Sequence, residues 1–336
     1  MNMKERYFAM ALDPIHVGTG GYRLGRVDNT IMREPGTNLP KIPGTTIEGN
    51  ARTYAAYVEA EKDPEHINCA DKEKHKEKCP KQNYKCPICV TFGYTDSKLV
   101  PEGKPKSLHG MAQFSDARIL FFPVHSMLGP VWATCPDILR EMNERGNLKF
   151  DSTEVEIPRN KEEVVISKQT GDEHKNLKKL NLGWLYLDLK KGNDDDLKTN
   201  DFTGISLFKE AGVNEEVLKR IVVVHDDIFD KIVNSNLEVR TSVAIDPKTG
   251  AAEEGALFTY EAIPRATLLW FDVTYHDPKW FDCVVEKNNG LEKPDLESDI
   301  KPAVRQGLRL FETLGIGGMQ TRGFGRMRIL NLEGED

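Results

Sequence analysis

The chain has 336 residues, 39% of them hydrophobic, enough for one large domain or two ordinary ones with a sizeable core. Acidic residues outnumber basic ones by 53 to 46, a formal charge of −7 that excludes a globally basic nucleic-acid coat. A polyanion therefore has to be held by a local basic surface, backbone amides or helix N-termini. The apolar stretch 7–12 is too short for a signal h-region or a membrane span, and six cysteines in a chain this long are not a disulfide scaffold, so the expected compartment is the cytoplasm.

In chain order, Phe8, Met10 and Leu12 alternate with smaller residues, predicting a first strand over 6–12 buried chiefly on one face. A loop follows with glycines at Gly18, Gly20, Gly21 and Gly25; it reads either as a set of tight turns or as backbone that approaches a ligand closely. His16 in that loop is a candidate acid or base, or a hydrogen-bonding partner of phosphate or of its own loop. Ile47, Ala51, Tyr54, Ala55 and Val58 recur at helical spacing, predicting a helix over about 45–60 with Thr45 and Glu48 as a capping box. Its free N-terminal amides, with Thr46 beside them and Arg52 further on, also suit a phosphate.

Residues 61–92 read as a hydrophilic, cysteine-rich insertion. Cys69, Cys79, Cys86 and Cys89 fall close together, the last two as a C-x-x-C pair, with His75 between them as an alternative ligand. A segment that cannot bury a core gains its fold from a tetrahedral zinc site of this kind. Cys135 and Cys283 stand apart and read as small core residues. The segment 111–123 predicts a buried strand, and 145–235 reads as a polar, irregular insertion in which the run Asp194 to Asp196 carries no function.

Alternation over 239–245, a turn at 246–250 and a return over 255–260 predict a β-hairpin. A last helix, capped by Ser298 or Asp299, carries Ile300, Val304, Leu308, Phe311 and Leu314 on one stripe and ends at Gly315. The loop 315–325 then leads to a final strand over 326–330. Between 301 and 328, six basic residues face the single acid Glu312, an expected basic surface in an acidic protein. There Gly317, Gly318, Gln320, Thr321 and Arg322 offer amides, a hydroxyl and a guanidinium fork to RNA phosphates, and Phe324 offers a stacking face.

The loop at 16–20, the segment 25–34, Ile42-Pro43-Gly44-Thr45-Thr46, FSDARILFFPV at 114–124, WATCPDIL at 132–139, EEGALF at 253–258 and the glycine loop before the last strand occur in order. Together they resemble the RAMP superfamily, most closely its Cmr-type backbone subunits of type III-B CRISPR effector complexes. The resemblance implies an α+β fold: one RRM-like or ferredoxin-like palm spanning 1–336 that carries insertions, with a projecting β-hairpin thumb at 239–261; that the inserted 61–92 segment binds zinc rests on its cysteine spacing. It implies copies stacked in a helical filament on guide CRISPR RNA, alongside other Cmr subunits, cutting complementary target RNA at regular intervals. By that match Asp28 is the catalytic aspartate, with Glu253, Glu254, Tyr260 and His16 as assistants; Gly18, Gly20, Arg33, Thr45, Thr46 and Arg52 join the glycine loop in binding RNA. The family's usual lysine in the first helix is here Glu48.

RNA carries its own nucleophile, so scission needs an in-line 2′-OH, a base near it and charge stabilisation at phosphorus. One carboxylate holding Mg²⁺ or Mn²⁺ meets this need, since Mg²⁺ commonly takes one or two carboxylates plus substrate phosphate. Two alternatives stay open: a non-catalytic guide-RNA scaffold of the same complex, and a standalone guide-processing RAMP endoribonuclease.

Overall fold

The computed structural model describes residues 3–20, 27–70, 86–95, 107–143, 149–150, 153–193, 196–281, 283, 285–287 and 290–332. Strand β1 (Met3–Ala11) is followed by helix α1 (Gly44–Ala60), a 3₁₀ turn at Pro64–Ala70 and the short α2 (Pro87–Phe92). Next come β2 (Ala117–Ser126), β3 (Gly129–Thr134), α3 (Pro136–Met142), β4 (Glu163–Ser167), β5 (Lys179–Leu182), β6 (Leu185–Leu189), β7 (Ile221–Val224) and α4 (Asp226–Ser235). The chain closes with β8 (Glu238–Ile245), β9 (Ala252–Ala262), β10 (Leu268–Tyr275), α5 (Lys301–Arg309) and β11 (Met327–Ile329).

Nine of these strands form one sheet in the order β5–β6–β4–β7–β3–β2–β10–β1–β11. At one end, β11–β1–β10–β2 are antiparallel throughout, with α1 following β1 and α5 preceding β11. That is a βαββαβ unit with its strands in the order 4-1-3-2, the topology of a ferredoxin-like palm. Its second and third strands, β2 and β10, are separated by residues 127–267. Tyr7, Phe8 and Ala9 are all buried, so β1 is covered on both faces and not on one. On one face Glu5 pairs with Lys301 of α5 at 2.9 Å; on the other, Arg6 donates to the Met142 carbonyl of α3 at 3.0 Å.

Residues 163–235 depart from the sequence expectation of an irregular insertion. They contribute β4 to β7 and α4, extending the palm sheet through a parallel β3–β7 pair and a parallel β4–β6 pair. All four residues of β7 are buried, as an apolar strand flanked by neighbours on both sides requires. By contrast, β8 and β9 form a separate two-stranded sheet, with Glu238 opposite Ala262 and Val243 opposite Leu257. Val239, Val243, Ile245 and Leu257 of this hairpin are all exposed.

Helix α1 packs on α5, and the approach is close: a Cβ on Gly307 would collide with the Ala51 carbonyl oxygen. The expected capping box is not formed. Pro43 occupies the N-cap without a side-chain bond, and Asp116 at the start of β2 accepts the Gly44 N–H at 2.8 Å. The last helix also starts differently: Asp295 Oδ1 accepts from the amides of Glu297 and Ser298, both at 3.0 Å, and a π turn at Leu296–Ile300 leads into α5. No helix among the described residues is long and apolar enough to cross a membrane.

Candidate catalytic and RNA-binding surface

The C-terminal half of β9 is where the loops after β1 converge. Ile15 and Ile263 exchange backbone hydrogen bonds of 2.8 and 2.9 Å, and Asn29 bridges to Tyr260 in parallel. The Asn29 amide donates to the Thr259 carbonyl, and the Glu261 amide donates to that of Asn29, both at 3.0 Å. The loop is thereby laid against β9 as an extra strand-like segment, and this fixes Asp28.

Asp28 and Thr259 hold each other. Asp28 Oδ2 accepts from the Thr259 amide at 2.9 Å and from its hydroxyl at 2.7 Å, while the Asp28 amide donates to Thr259 Oγ1 at 2.9 Å. The Thr259 hydroxyl, with help from its amide, holds the Asp28 carboxyl below the ordinary aspartate pKa. Oδ1 has no partner among the described residues and is the oxygen left for an outside cation or donor.

His16, 8% exposed, donates from Nδ1 to the Glu261 carbonyl at 2.6 Å, because a carbonyl can only accept. In the neutral ring this leaves the lone pair on Nε2. A Cβ on Gly18 would lie 2.9 Å from that nitrogen, so glycine there keeps it uncovered. The Tyr260 ring meets the imidazole edge-on, with centroids 5.7 Å apart. The glycine loop closes the other side: Gly318 donates to the His16 carbonyl at 2.8 Å, and Gly325 to that of Pro14 at 2.9 Å. Asp28, His16 and Tyr260 are thus all anchored to β9, with Gly18, Gly317 and Gly318 against His16. Gly20 is exposed beyond them.

Other expected RNA contacts are engaged inside the protein. Arg52 is 1% exposed and donates to the carbonyls of Cys69 and Gly93, which removes it from any RNA surface. Arg33 pairs with Glu261 at 2.6 Å and donates to Asn234 at 2.9 Å, so it braces β9 against α4. The Gln320 amide donates to Tyr54 Oη and to the Gly315 carbonyl, both at 3.2 Å. Thr45 is exposed and Thr46 half-buried at the start of α1, but the Asp116 carboxylate stands where a phosphate would be held. Burial works against the charged form of Asp116, yet the Lys41 ammonium and the Gly44 amide keep its pKa below the ordinary value.

The basic surface is also smaller than its composition. Lys301 is buried and bound to Glu5 and Glu297, Arg305 lies 3.7 Å from Glu5, Arg326 binds Asp13 and Arg328 binds Glu312. Phe324 is 4% exposed, with the Arg240 guanidinium 4.7 Å from its ring centroid, so no face remains for a base. Thr321 and Arg322 are exposed, and Arg322 forms no ion pair among the described residues. The sequence reading missed Thr259 and Glu261. A threonine and a glutamate at alternate positions flanking Tyr260 were the available signal, but nothing local links them to a loop some 230 residues earlier.

The cysteine-rich segment forms a second centre. The sulfurs of Cys69, Cys86 and Cys89 all lie within 4.8 Å of one another, each fully buried, and the five described cysteines are thiols. Three clustered buried thiols match the donor chemistry of structural zinc. His66 is 2% exposed, and the Cys86 sulfur beside it lifts its pKa above the ordinary histidine value. Cys79 and His75 lie outside the described residues, as do the side chains of Glu253 and Glu254. Cys135 and Cys283 are buried core residues.

Among known proteins, the CRISPR system Cmr endoribonuclease Cmr4 of Pyrococcus furiosus is 28% identical over 264 residues, covering 77% of each chain. A crystal structure of Cmr4 superimposes with a TM-score of 0.56 at 20% identity, over 98% of this chain and 100% of that one. A type III-B Cmr-beta complex solved by cryo-EM with cognate target RNA gives 0.56 at 16% identity, over 98% and 97%. An oligomeric Cmr4 from Pyrococcus furiosus gives 0.56 at 20% identity, over 97% and 98%. The RAMP superfamily model matches residues 9–328, nearly the whole of the palm and its insertions, and the chain belongs to the RAMP superfamily.

Proposed function

We propose that this chain is a backbone subunit of a type III-B CRISPR effector, stacking in copies along one guide CRISPR RNA and cleaving complementary target RNA at regular intervals. The observation that carries the cleavage is Asp28, anchored at Oδ2 by Thr259 and open at Oδ1. A relative named as an endoribonuclease supports RNA scission, and neighbours solved as an oligomer and with target RNA support self-assembly and an RNA partner. Such an assembly works in the cytoplasm with other Cmr subunits.

In this reading the target 2′-OH attacks the adjacent phosphorus, the 5′-oxygen leaves, and the products are a 2′,3′-cyclic phosphate and a 5′-OH. The open oxygen of Asp28 would hold a divalent cation, Mg²⁺ or Mn²⁺, which would supply Lewis acidity at the reacting phosphate. Its depressed pKa keeps it ionised throughout the neutral range. His16, with Nδ1–H committed to Glu261, presents Nε2 to accept or bond a proton. Tyr260 fixes the ring edge-on, and Glu254 lies on the same strand, β9. The β8–β9 hairpin serves as the thumb that displaces a base and lets the 2′-OH swing in line. A structural zinc on the cysteine cluster would hold the 3₁₀ turn Pro64–Ala70 and α2 together against α1.

A second reading, a non-catalytic scaffold, is favoured by the same bonds, because the Asp28–Thr259 pair also ties a loop to a strand. The test assembles the complex with guide RNA and end-labelled target, with and without Mg²⁺ or Mn²⁺. Evenly spaced cuts that vanish in Asp28→Asn and with a 2′-deoxy linkage at the cut site, while guide binding persists, are expected. Target binding without cuts in the wild type would leave the scaffold. Cutting of precursor guide by the isolated chain without metal would leave the processing enzyme.

A further inference from the structure

We infer that Glu261 and Arg33 are a positioning pair for RNA cleavage: their buried contact sets Asp28 and His16 side by side and ties both to α4. The inference rests on the cleavage reading given above and deepens it, since the pair acts through Asp28 and His16 and touches no reacting atom.

Four points of attachment meet in Glu261. Its amide donates to the Asn29 carbonyl at 3.0 Å, and its own carbonyl accepts from His16 Nδ1 at 2.6 Å. Its carboxylate takes the Ile31 amide on Oε2 at 3.2 Å and Arg33 Nη2 on Oε1 at 2.6 Å. One residue of β9 therefore grips the Asp28 loop at three places and His16 at a fourth. Residues two apart on a strand share a face, so Glu261 stands beside Thr259, which holds the Asp28 carboxylate. Arg33 carries the link outward. Its Nη1 donates to the Ile31 carbonyl at 3.0 Å and its Nε to Asn234 Oδ1 at 2.9 Å. Asn234, in α4, donates in turn to the Asn38 carbonyl at 3.1 Å, just past Arg33 in the chain. Each nitrogen of the guanidinium thus has a partner inside the protein, which commits Arg33 to the geometry of the loop and not to phosphate.

Burial separates this role from a purely structural one. The Arg33 and Glu261 side chains are 20% and 10% exposed. A pair so placed adds little net stability, because desolvation of two charges offsets their attraction, while deleting one partner strands the other. Apolar residues of similar volume can therefore replace a pair that only supports the fold. They cannot replace one that positions, because methionines fill the space without holding the Ile31 amide or the Asp28 loop. A displacement of about 1 Å in a reacting group is enough to slow a reaction roughly 100-fold.

The test compares the full-length wild type with Arg33→Met and with Arg33→Met/Glu261→Met, alone and in the complex assembled with guide RNA. Arg33→Met strands the Glu261 charge and should lower the melting temperature of the chain by roughly 5–10 °C. The double variant should regain most of that loss, yet cleave bound target roughly 10–100-fold more slowly than the wild type at unchanged target affinity. By hydrogen exchange, its peptide over 27–33 should lose protection while β1 and β10 keep theirs. A double variant that cleaves at the wild-type rate, with that peptide still protected, would overturn the positioning role and leave the cleavage reading intact. A wild-type complex that binds target and never cuts would overturn the cleavage reading, and the positioning role falls with it.

Discussion

At the residue scale the decisive contact is the reciprocal Asp28–Thr259 pair. Aspartate in a loop ordinarily titrates near 3.9, but here the Thr259 hydroxyl and amide bind its charged form and depress the value. A carboxylate whose folded pKa lies below its unfolded one contributes stability that is present above the unfolded pKa and lost as pH falls through the folded one. Thr259→Val removes the hydroxyl while preserving shape, so the Asp28 pKa moves back toward the ordinary value. Acid unfolding followed by circular dichroism should then begin at a higher pH than in the wild type. At neutral pH, in the assembled complex, the variant should cleave more slowly by up to about 100-fold through misplacement of Oδ1, with guide binding unchanged. An unaltered rate would mean that Thr259 only ties the loop. None of this pairing was legible beforehand: Asp28 was reached through the resemblance, whereas its partner is set by the strand that the loop happens to cross.

At the element scale, the hairpin and the 163–235 segment show what sequence pattern carries. The hairpin was readable because both strands and their Asp246–Gly250 turn are contiguous, and the turn is closed by local bonds from Lys248 and Gly250 to Asp246. The segment 163–235 was read as irregular because its strands are at most five residues long, and three of its pairings are parallel and therefore non-local. Short polar stretches between such strands look like loops until the neighbour is known. Likewise the Thr45 and Glu48 spacing satisfied the capping rule, but the carboxylate of Asp116, brought in by β2, took the position. The hairpin also yields a test. Replacing residues 244–256 by Asn-Gly leaves Val243 opposite Leu257 and keeps Thr259 in register. This shortened chain should fold and bind guide RNA normally, yet lose regular cleavage of the paired target on sequencing gels. Normal evenly spaced cuts would remove the thumb role.

At the scale of the whole molecule, the proposed function requires an acidic chain to hold a polyanion, and the chain's charges are separated over its surface. Glu34, Asp137, Glu141, Asp226, Asp227 and Asp230 line one cavity between α3 and α4 with only Arg118 and Lys231 against them, which leaves that region net acidic. Four of the six basic residues counted between 301 and 328 are bound to carboxylates, which the one-dimensional charge count cannot reveal. What remains around the glycine loop is backbone amides, Thr321 and the exposed Arg322. RNA affinity there should accordingly depend on salt far less than six cations would dictate, since each neutralised phosphate on a single strand adds about 0.7 to the slope of log K against log salt. Arg322→Gln should reduce that slope for guide binding by about 0.7, while Arg326→Gln, whose cation is already held by Asp13, should change it little. Equal losses from both variants would mean that the Asp13–Arg326 pair opens on RNA, and that the surface becomes basic only when it is occupied.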